Sequence, residues 1–236
     1  MKLISSVLLC SILTAISVSA FADQPAPQGS GERARPQLTE TRAVGPGGRY
    51  IVTPMGHVGG FVLANGTVVR LRPSEGDKMA AQVAVGETVT VDGRTAGNGR
   101  PIMRATVSGP HGQVVEPTTG GNASWKGLDH EQKVERRKEL RAERAAALAK
   151  LPATSLDGTV QTVLTGRHGA PRALLLSNGG TIFLEGSLRH AMAGASIKAG
   201  DVVRASGKGG TYKNGASVEA SQVTLANGTQ FSGRPL

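Results

Sequence analysis

Residues 61–71 read FVLANGTVVRL, and this stretch decides the fold. It consists of two short runs of β-forming residues joined at Asn65-Gly66. Asn-Gly between such runs is a strong signal for a β-hairpin, because both central residues of a type I′ turn need a positive φ. The stretch therefore predicts a hairpin with a type I′ turn.

A degenerate copy of this hairpin returns at residues 174–184, which read LLLSNGGTIFL. The glycines that follow keep their spacing, since Gly86 and Gly93 are seven residues apart and so are Gly200 and Gly207. Both copies predict the same order of elements, five short strands with one short helix after the third. The sequence therefore indicates a duplicated β module.

Five short strands leave exposed edges in an open sheet, and closure into a small barrel removes most of them. The OB-fold is such a barrel, and a helix between the third and fourth strands fits the predicted order. We therefore expect a mainly β chain: two small five-stranded OB-like Greek-key barrels joined by a long charged α-helix. An SH3-like or sandwich arrangement is the alternative.

Longer motifs carry a family resemblance. The first copy contains VTPMGHVGGFVLANGTVV at residues 52–69 and VGETVTVDG at 85–93, and the second contains GAPRALLLSNG at 169–179 and AGDVVRASG at 199–207. With these motifs the chain resembles uncharacterised bacterial exported OB-fold-like proteins, built from tandem copies of a small β-barrel module. The resemblance implies the fold of both repeats, and it implies no known reaction and no catalytic residue.

Residues 1–22 have the features of a secretory signal peptide. Lys2 supplies the positive start, residues 3–18 form an apolar run, and Ala20-Phe21-Ala22 matches the small-x-small pattern of a cleavage site. The run is short for a membrane span, which needs about 20 residues. Cys10 is the single cysteine and would leave with the signal, so the mature chain would have no disulfide. These features predict a periplasmic protein without a transmembrane span after cleavage.

The remaining chain divides by composition. Residues 23–47 are rich in Pro, Gly and polar side chains and predict a disordered lead-in, because they bury too little apolar surface to fold. The other predicted ranges are 48–109 for the first barrel, 110–127 for a loop, 128–150 for the linker helix, and 151–236 for the second barrel and tail.

The linker helix is predicted from its start and its interior. Asp129 and Gln132 resemble a capping box, and no Gly or Pro follows until Pro152. Because the segment has few apolar side chains, one interpretation is a solvated spacer. The other is a charged arm that touches an acidic partner or another copy of itself. The candidate partner-binding residues are Arg136, Arg137, Arg141 and Arg144.

The formal net charge of +10 at pH 7 favours acidic partners, although a soluble basic surface is the simpler interpretation. OB-folds bind ligands on the face around strands two and three. The candidate ligand-binding residues are Phe61, Arg70, Arg72, Phe183 and Tyr212. Nucleic acid is disfavoured because the protein is exported and only 3% of its residues are aromatic, whereas such binding normally uses stacking aromatics. The expected partner is an acidic polymer or an envelope protein.

The sequence offers little for catalysis. Its five histidines include no pair at helical metal-ligand spacing, and Met55-Gly56-His57 favours a turn over a copper or nickel site. Motifs for a serine nucleophile, a zinc protease or a phosphate loop are absent. We expect a protein that is not an enzyme and has no cofactor and no metal.

Two functions remain as hypotheses. The first is an exported binding module that recognises an acidic polymer or an anionic envelope component through a basic barrel face. The second is an envelope scaffold or adaptor that binds other proteins and uses the charged helix as a spacer or self-association element.

Overall fold

The computed structural model describes residues 37–97, 99–117, 125, 127–166, 170–192 and 194–233. These residues belong to one compact unit. The chain is mainly β, with 49% strand and 20% helix, and contains a closed five-stranded barrel and a second, six-stranded sheet. The predicted signal peptide, residues 1–22, lies outside the described residues, as does the predicted lead-in up to residue 36.

The first module is the six-stranded sheet with one helix. Its elements are β1 (Thr39–Val52), β2 (Val58–Leu63), β3 (Val68–Arg70), α1 (Pro73–Gln82), β4 (Thr88–Thr95), β5 (Met103–Gly109) and β6 (Gly112–Val115). The sheet order is β3-β2-β1-β4-β5-β6. A parallel bridge between Val69 and Ile102 brings β3 beside the start of β5, so the sheet curls back towards itself.

The second module contains the closed barrel. Its elements are β7 (Ala153–Thr165), β8 (Pro171–Leu176), β9 (Thr181–Leu184), α3 (Gly186–Ala191), β10 (Val202–Tyr212), β11 (Gly215–Leu225) and β12 (Gln230–Ser232). The sheet order is β10-β7-β8-β9-β11-β12, and β10 also pairs with β11. Because of this pairing, β7, β8, β9, β11 and β10 form a ring, and β12 is added to β11 outside it.

The helix α2 (His130–Ala149) lies between the modules in the chain. Asp129 caps it, accepting from the Gln132 N–H at 2.8 Å, and the Gln132 side chain accepts from the Asp129 N–H at 3.0 Å. The expected architecture of two barrels joined by this helix is not what the structure has. One module is a closed barrel and the other is a six-stranded sheet that curls back towards itself, and the two modules contact each other directly, so α2 does not act as a rod between them.

The predicted hairpin at Asn65-Gly66 is present, but its turn is not type I′. Gly66 has a φ of +85°, whereas among the described residues Arg104 is the one non-glycine with a positive φ. The Gly66 N–H donates to Leu63 O at 2.9 Å, and the Asn65 side chain accepts from the Thr67 N–H at 3.0 Å. This is a longer hairpin loop in which glycine alone takes the left-handed conformation.

The same turn occurs twice in the second module. Between β8 and β9, Gly179 has a φ of +87° and its N–H donates to Leu176 O at 3.1 Å. Between β11 and β12, Gly228 has a φ of +81° and its N–H donates to Leu225 O at 2.9 Å. Glycine is required in each case because a left-handed backbone places Cβ too close to the following carbonyl.

Each module has an apolar core of its own. In the first module the largest fully buried side chains include Phe61, Leu63 and Met79. In the second they include Leu174, Leu176, Ile182, Leu188 and Met192. With few aromatic residues, aliphatic and methionine side chains do most of the packing.

A third apolar cluster lies between the modules. It joins Ile51, Val62 and Val68 of the first module to Leu175 of the second. Val62 and Val68 belong to β2 and β3, and Leu175 belongs to β8. The outer faces of the second and third strands, where an OB-like ligand face was expected, therefore pack partly against the other module.

Polar contacts also connect the modules. The Arg49 guanidinium donates to Leu176 O, and the Tyr212 hydroxyl donates to Pro54 O. The Arg100 guanidinium donates to Gly166 O at 3.0 Å.

Two predicted boundaries need correction. Residues 39–47 were expected in the disordered lead-in but form the first part of β1. They are ordered because their backbone pairs with β4, although few of their side chains are buried. The range 110–127, expected as loop, contains β6, which pairs with β5. With β6 and β12, the sheets have six strands each rather than five.

Candidate functional site

A cleft of about 690 Å³ lies between the two modules, with α2 along one side. Its size is within the roughly 300–1,000 Å³ that is typical of small-molecule sites. The first module contributes residues of β1 to β3, and the second contributes β7 to β9, α3 and β11. This cleft is the candidate functional site.

One wall of the cleft is a row of side chains across four strands of the second module. Leu164 on β7 is paired with Ala173 on β8, Ala173 with Phe183 on β9, and Phe183 with Glu219 on β11. Directly paired residues project from the same face of a sheet. All four line the cleft, so Glu219 is an acid at the end of an otherwise apolar row.

Arginines from different elements meet at the cleft. Arg70 lies on β3, Arg172 on β8 and Arg189 on α3, and all three line the cleft. Burial lowers the pKa of Arg172, and the positive charges of Arg70, Arg189 and Arg144 lower it further, against an opposing effect of Glu219. The guanidinium groups are therefore close enough to repel one another.

Three of these arginines have no acidic partner within the described part of the chain. Salt bridges there include Arg144 but neither Arg70, Arg172 nor Arg189. The Nε of Arg189 is buried and has no hydrogen-bond partner among the described residues. Partial burial also lowers the pKa of Arg70, although Arg70 and Arg172 are both exposed as whole residues. A cluster of like charges without a counter-charge favours the binding of an anion.

Arg144 is the exception, because it pairs with Glu219. The Arg144 guanidinium is 2.7 Å from Glu219 Oε2, and the Glu219 side chain is 10% exposed while that of Arg144 is 51% exposed. The pair joins α2 to the barrel. Its neighbours on the same side of the helix, Leu140, Glu143 and Leu148, also line the cleft.

The structure places the five predicted ligand-binding residues in different environments. Arg70 lines the cleft and Phe183 lies half-buried in its wall. Phe61 was expected on an exposed face, which is wrong: it is 1% exposed, because alternation along β2 points it into the core. Arg72 is exposed at the start of α1, outside the cleft. Tyr212 packs half-buried against the first module, where its hydroxyl donates to Pro54 O, so it is an inter-module contact rather than an exposed ligand contact.

The four predicted partner-binding arginines of α2 have different environments. Arg136 pairs with Glu139 at 2.9 Å, and Arg137 lies over the Trp125 ring at 5.7 Å. Arg141 is exposed. Of the four, Arg144 alone lines the cleft.

Sequence reasoning missed Arg172, Arg189 and Glu219. Arg172 stands within the quoted motif at 169–179, and Arg189 lies in the short predicted helix of the second copy. Glu219 interrupts the small and apolar run of β11, and an isolated acid within such a strand is the one local signal that was available.

His57 lies at the rim of the cleft, in a turn closed by the Gly56 N–H donating to Thr53 O at 2.9 Å. Its Nδ1 is 2.8 Å from Asp77 Oδ2, and Asp77 Oδ1 accepts from the Val58 N–H at 2.8 Å. Burial raises the pKa of Asp77, but hydrogen bonds from Val58 and His57 and the charge of His57 outweigh this effect and lower it. These contacts hold the rim in place.

The described residues contain no group of three or more His, Cys, Asp or Glu side chains that could hold a metal ion. Within the same residues, neither α2 nor the shorter helices combine the length and the apolar character of a membrane span. Comparison with protein-family models, with curated proteins and with solved structures finds no match to this chain.

Proposed function

We propose that the protein is a non-enzymatic exported binding protein that holds an anionic envelope component, or a segment of an acidic polymer, in the cleft between its modules. The observation that carries the proposal is the set of guanidinium groups of Arg70, Arg172 and Arg189, which line one cleft and have no carboxylate partner within the described residues. The export signal at residues 1–22 would deliver the protein to the periplasm.

The modules are proposed to be OB-like Greek-key units, as the family resemblance implies. In the closed barrel the strands follow the ring β7-β8-β9-β11-β10, and α3 lies between the third and fourth strands in the chain. The ligand is placed in the cleft rather than on an exposed barrel face, because part of the expected face is covered by the other module.

Electrostatics supports an anion in this place. The positive charges of guanidinium groups in a partly desolvated cleft repel one another. A bound carboxylate or phosphate offsets this repulsion, because it is negatively charged and accepts charge-assisted hydrogen bonds from the guanidinium groups. The planar guanidinium suits such groups because it donates two parallel hydrogen bonds. Arg70 and Arg189 reach the cleft from different modules, so a bound anion would also connect the modules.

The test is calorimetric binding of a short heparin oligosaccharide at low salt. Arg70→Gln and Arg172→Gln should each weaken binding by about tenfold, since a hydrogen bond to a charged group contributes roughly 1.5–3 kcal/mol. Arg72→Gln is the matched control, because Arg72 is exposed nearby but does not line the cleft. Equal weakening by all three variants, or by none, would contradict the proposal.

The scaffold hypothesis stays a second candidate, favoured by the exposure of α2. Leu148 is the one buried residue of this helix, and Val134 is 46% exposed. Light scattering should compare the wild-type protein with Val134→Arg. An oligomer that this substitution dissociates would support the scaffold, whereas an identical mass for both proteins would exclude self-association through this part of α2.

A further inference from the structure

The cleft combines its arginines with apolar walls. Leu164 and Phe183 of the second module pack against the apolar cluster between the modules, which includes Ile51 of the first, and all three line the cleft. Leu140 of α2 also lines it and is 38% exposed. A ligand with charge alone would leave this apolar surface in contact with water.

The charge balance of the cleft suggests the charge of the ligand. Its ionisable lining consists of four arginines, two glutamates and His57, and the arginines and glutamates together leave a net charge of +2. The arginines are Arg70, Arg144, Arg172 and Arg189, and the glutamates are Glu143 and Glu219. A phosphate monoester carries about −1.5 to −2 at pH 7, so it matches this charge better than a carboxylate does.

The volume of the cleft favours a discrete ligand over a polymer. A cleft of about 690 Å³ between two packed modules has the volume of a small-molecule site. Its walls are supplied by three separate parts of the chain, the two modules and α2, whereas a polymer normally lies along an open groove.

We propose that the ligand is a discrete amphipathic phosphate monoester, with its phosphate held by Arg70, Arg172 and Arg189 and its hydrocarbon chain against Leu140, Leu164 and Phe183. This inference rests on the proposed function, because it names the class of anion that the same cleft binds. Arg144 stays paired with Glu219 and closes the α2 side of the cleft.

The experiment measures the binding of three probes by calorimetry: dodecyl phosphate, dodecanoate and inorganic phosphate. The two amphiphiles are kept below their micelle-forming concentrations. Dodecyl phosphate should bind most tightly. Inorganic phosphate should bind at least about a hundredfold more weakly, since each buried CH₂ contributes roughly 0.8 kcal/mol and several would be buried. Dodecanoate should be intermediate, because it keeps the chain and carries one negative charge.

Matched variants separate the two parts of the site. Leu140→Ser should weaken dodecyl phosphate binding by about fivefold to tenfold and leave inorganic phosphate binding unchanged, because it removes apolar surface only. Val134→Ser is its control, since Val134 is exposed on the same helix but outside the cleft. Arg172→Gln should weaken binding of both phosphate probes, and Arg72→Gln should weaken neither.

The outcomes distinguish this inference from the proposed function. If the heparin oligosaccharide binds through Arg70 and Arg172 but dodecyl phosphate binds no better than inorganic phosphate, the amphipathic ligand is wrong and the anion cleft stands. A Leu140→Ser variant that binds dodecyl phosphate like the wild type would also overturn the amphipathic ligand. If none of the probes and no heparin oligosaccharide binds, both proposals fail.

Discussion

Arg144 of α2 and Glu219 of β11 form an ion pair of 2.7 Å that connects a largely exposed helix to the barrel. Glu219 is almost completely buried beside Phe183, so its carboxylate depends on this partner. Leu148 is the one buried residue of α2, so the apolar contact between α2 and the rest of the protein is small. The pair compensates for the weak apolar docking of the helix and positions Leu140 along the cleft.

Loss of Arg144 should therefore destabilise the protein. Arg144→Met leaves a buried carboxylate without its partner, which typically costs about 1–3 kcal/mol. The double variant Arg144→Met/Glu219→Gln should be less destabilised than the sum of the two single variants, because the neutral amide needs no counter-charge. Urea denaturation of the four proteins gives the coupling free energy.

A surface pair provides the control for this cycle. Arg136 and Glu139 form an ion pair on the same helix, with both side chains about half exposed. Arg136→Met should change the free energy of unfolding by no more than about 0.5 kcal/mol, since exposed helix pairs contribute little. Additive effects at Arg144 and Glu219 would show that the pair does not stabilise the docking of α2.

Gly56 and Gly66 offer a test of the contact between the modules. Both have a positive φ, +88° and +85°, but a Cβ on Gly56 would lie 2.7 Å from the Tyr212 ring, whereas one on Gly66 would have no atom within 4 Å. Gly66→Ala should cost about 1–2 kcal/mol through backbone strain alone. Gly56→Ala should cost roughly 1–3 kcal/mol more, because it also displaces Tyr212.

Urea denaturation again provides the measurement, and a second substitution identifies the cause. Gly56→Ala/Tyr212→Leu should recover part of the extra loss, because the smaller side chain makes room for the new methyl group. If Gly56→Ala and Gly66→Ala destabilise equally, the Tyr212 contact between the modules does not restrict Gly56.

The hairpin turns show which features of the fold can be predicted from the sequence. Asn65-Gly66 predicts a turn between two strands because glycine adopts the left-handed backbone at no steric cost, and the turn is where the sequence places it. Its type was predicted wrongly, because a two-residue turn and a longer loop share the Asn-Gly signal. Residues 225–229 read LANGT, identical to 63–67, and this third copy could have predicted the pairing of β11 with β12.

The cleft could not be predicted in the same way. Arg70, Arg172 and Arg189 are far apart in the sequence and meet because the modules pack against each other. That packing depends on contacts such as Tyr212 with Pro54, which have no periodic or local signal. Arg70 was identified from its place on β3, whereas Phe61 was misplaced because the face of a strand depends on its register.

Glu185 should make the second module sensitive to acid. It caps α3, accepting hydrogen bonds from the Ser187 N–H at 2.7 Å and the Leu188 N–H at 3.2 Å. Burial raises the pKa of Glu185, but the Ser187 hydroxyl and the N–H groups of Leu188, Ser187 and Gly186 outweigh this effect and lower it. The carboxylate is therefore more acidic in the folded state than in the unfolded state.

The sign of the pH dependence follows from that difference. A lowered pKa in the folded state contributes stability above the unfolded value of about 4.3, and the contribution is lost as the pH falls through the lower folded value. Glu185→Gln should cost about 1 kcal/mol at neutral pH, as is typical for loss of a cap, and should flatten the decline in stability below pH 5. Urea midpoints between pH 3 and pH 7 measure both effects.

Glu116→Gln is the control, because Glu116 is exposed and caps no helix. A decline as steep in Glu185→Gln as in the wild type would mean that other carboxylates cause the acid sensitivity.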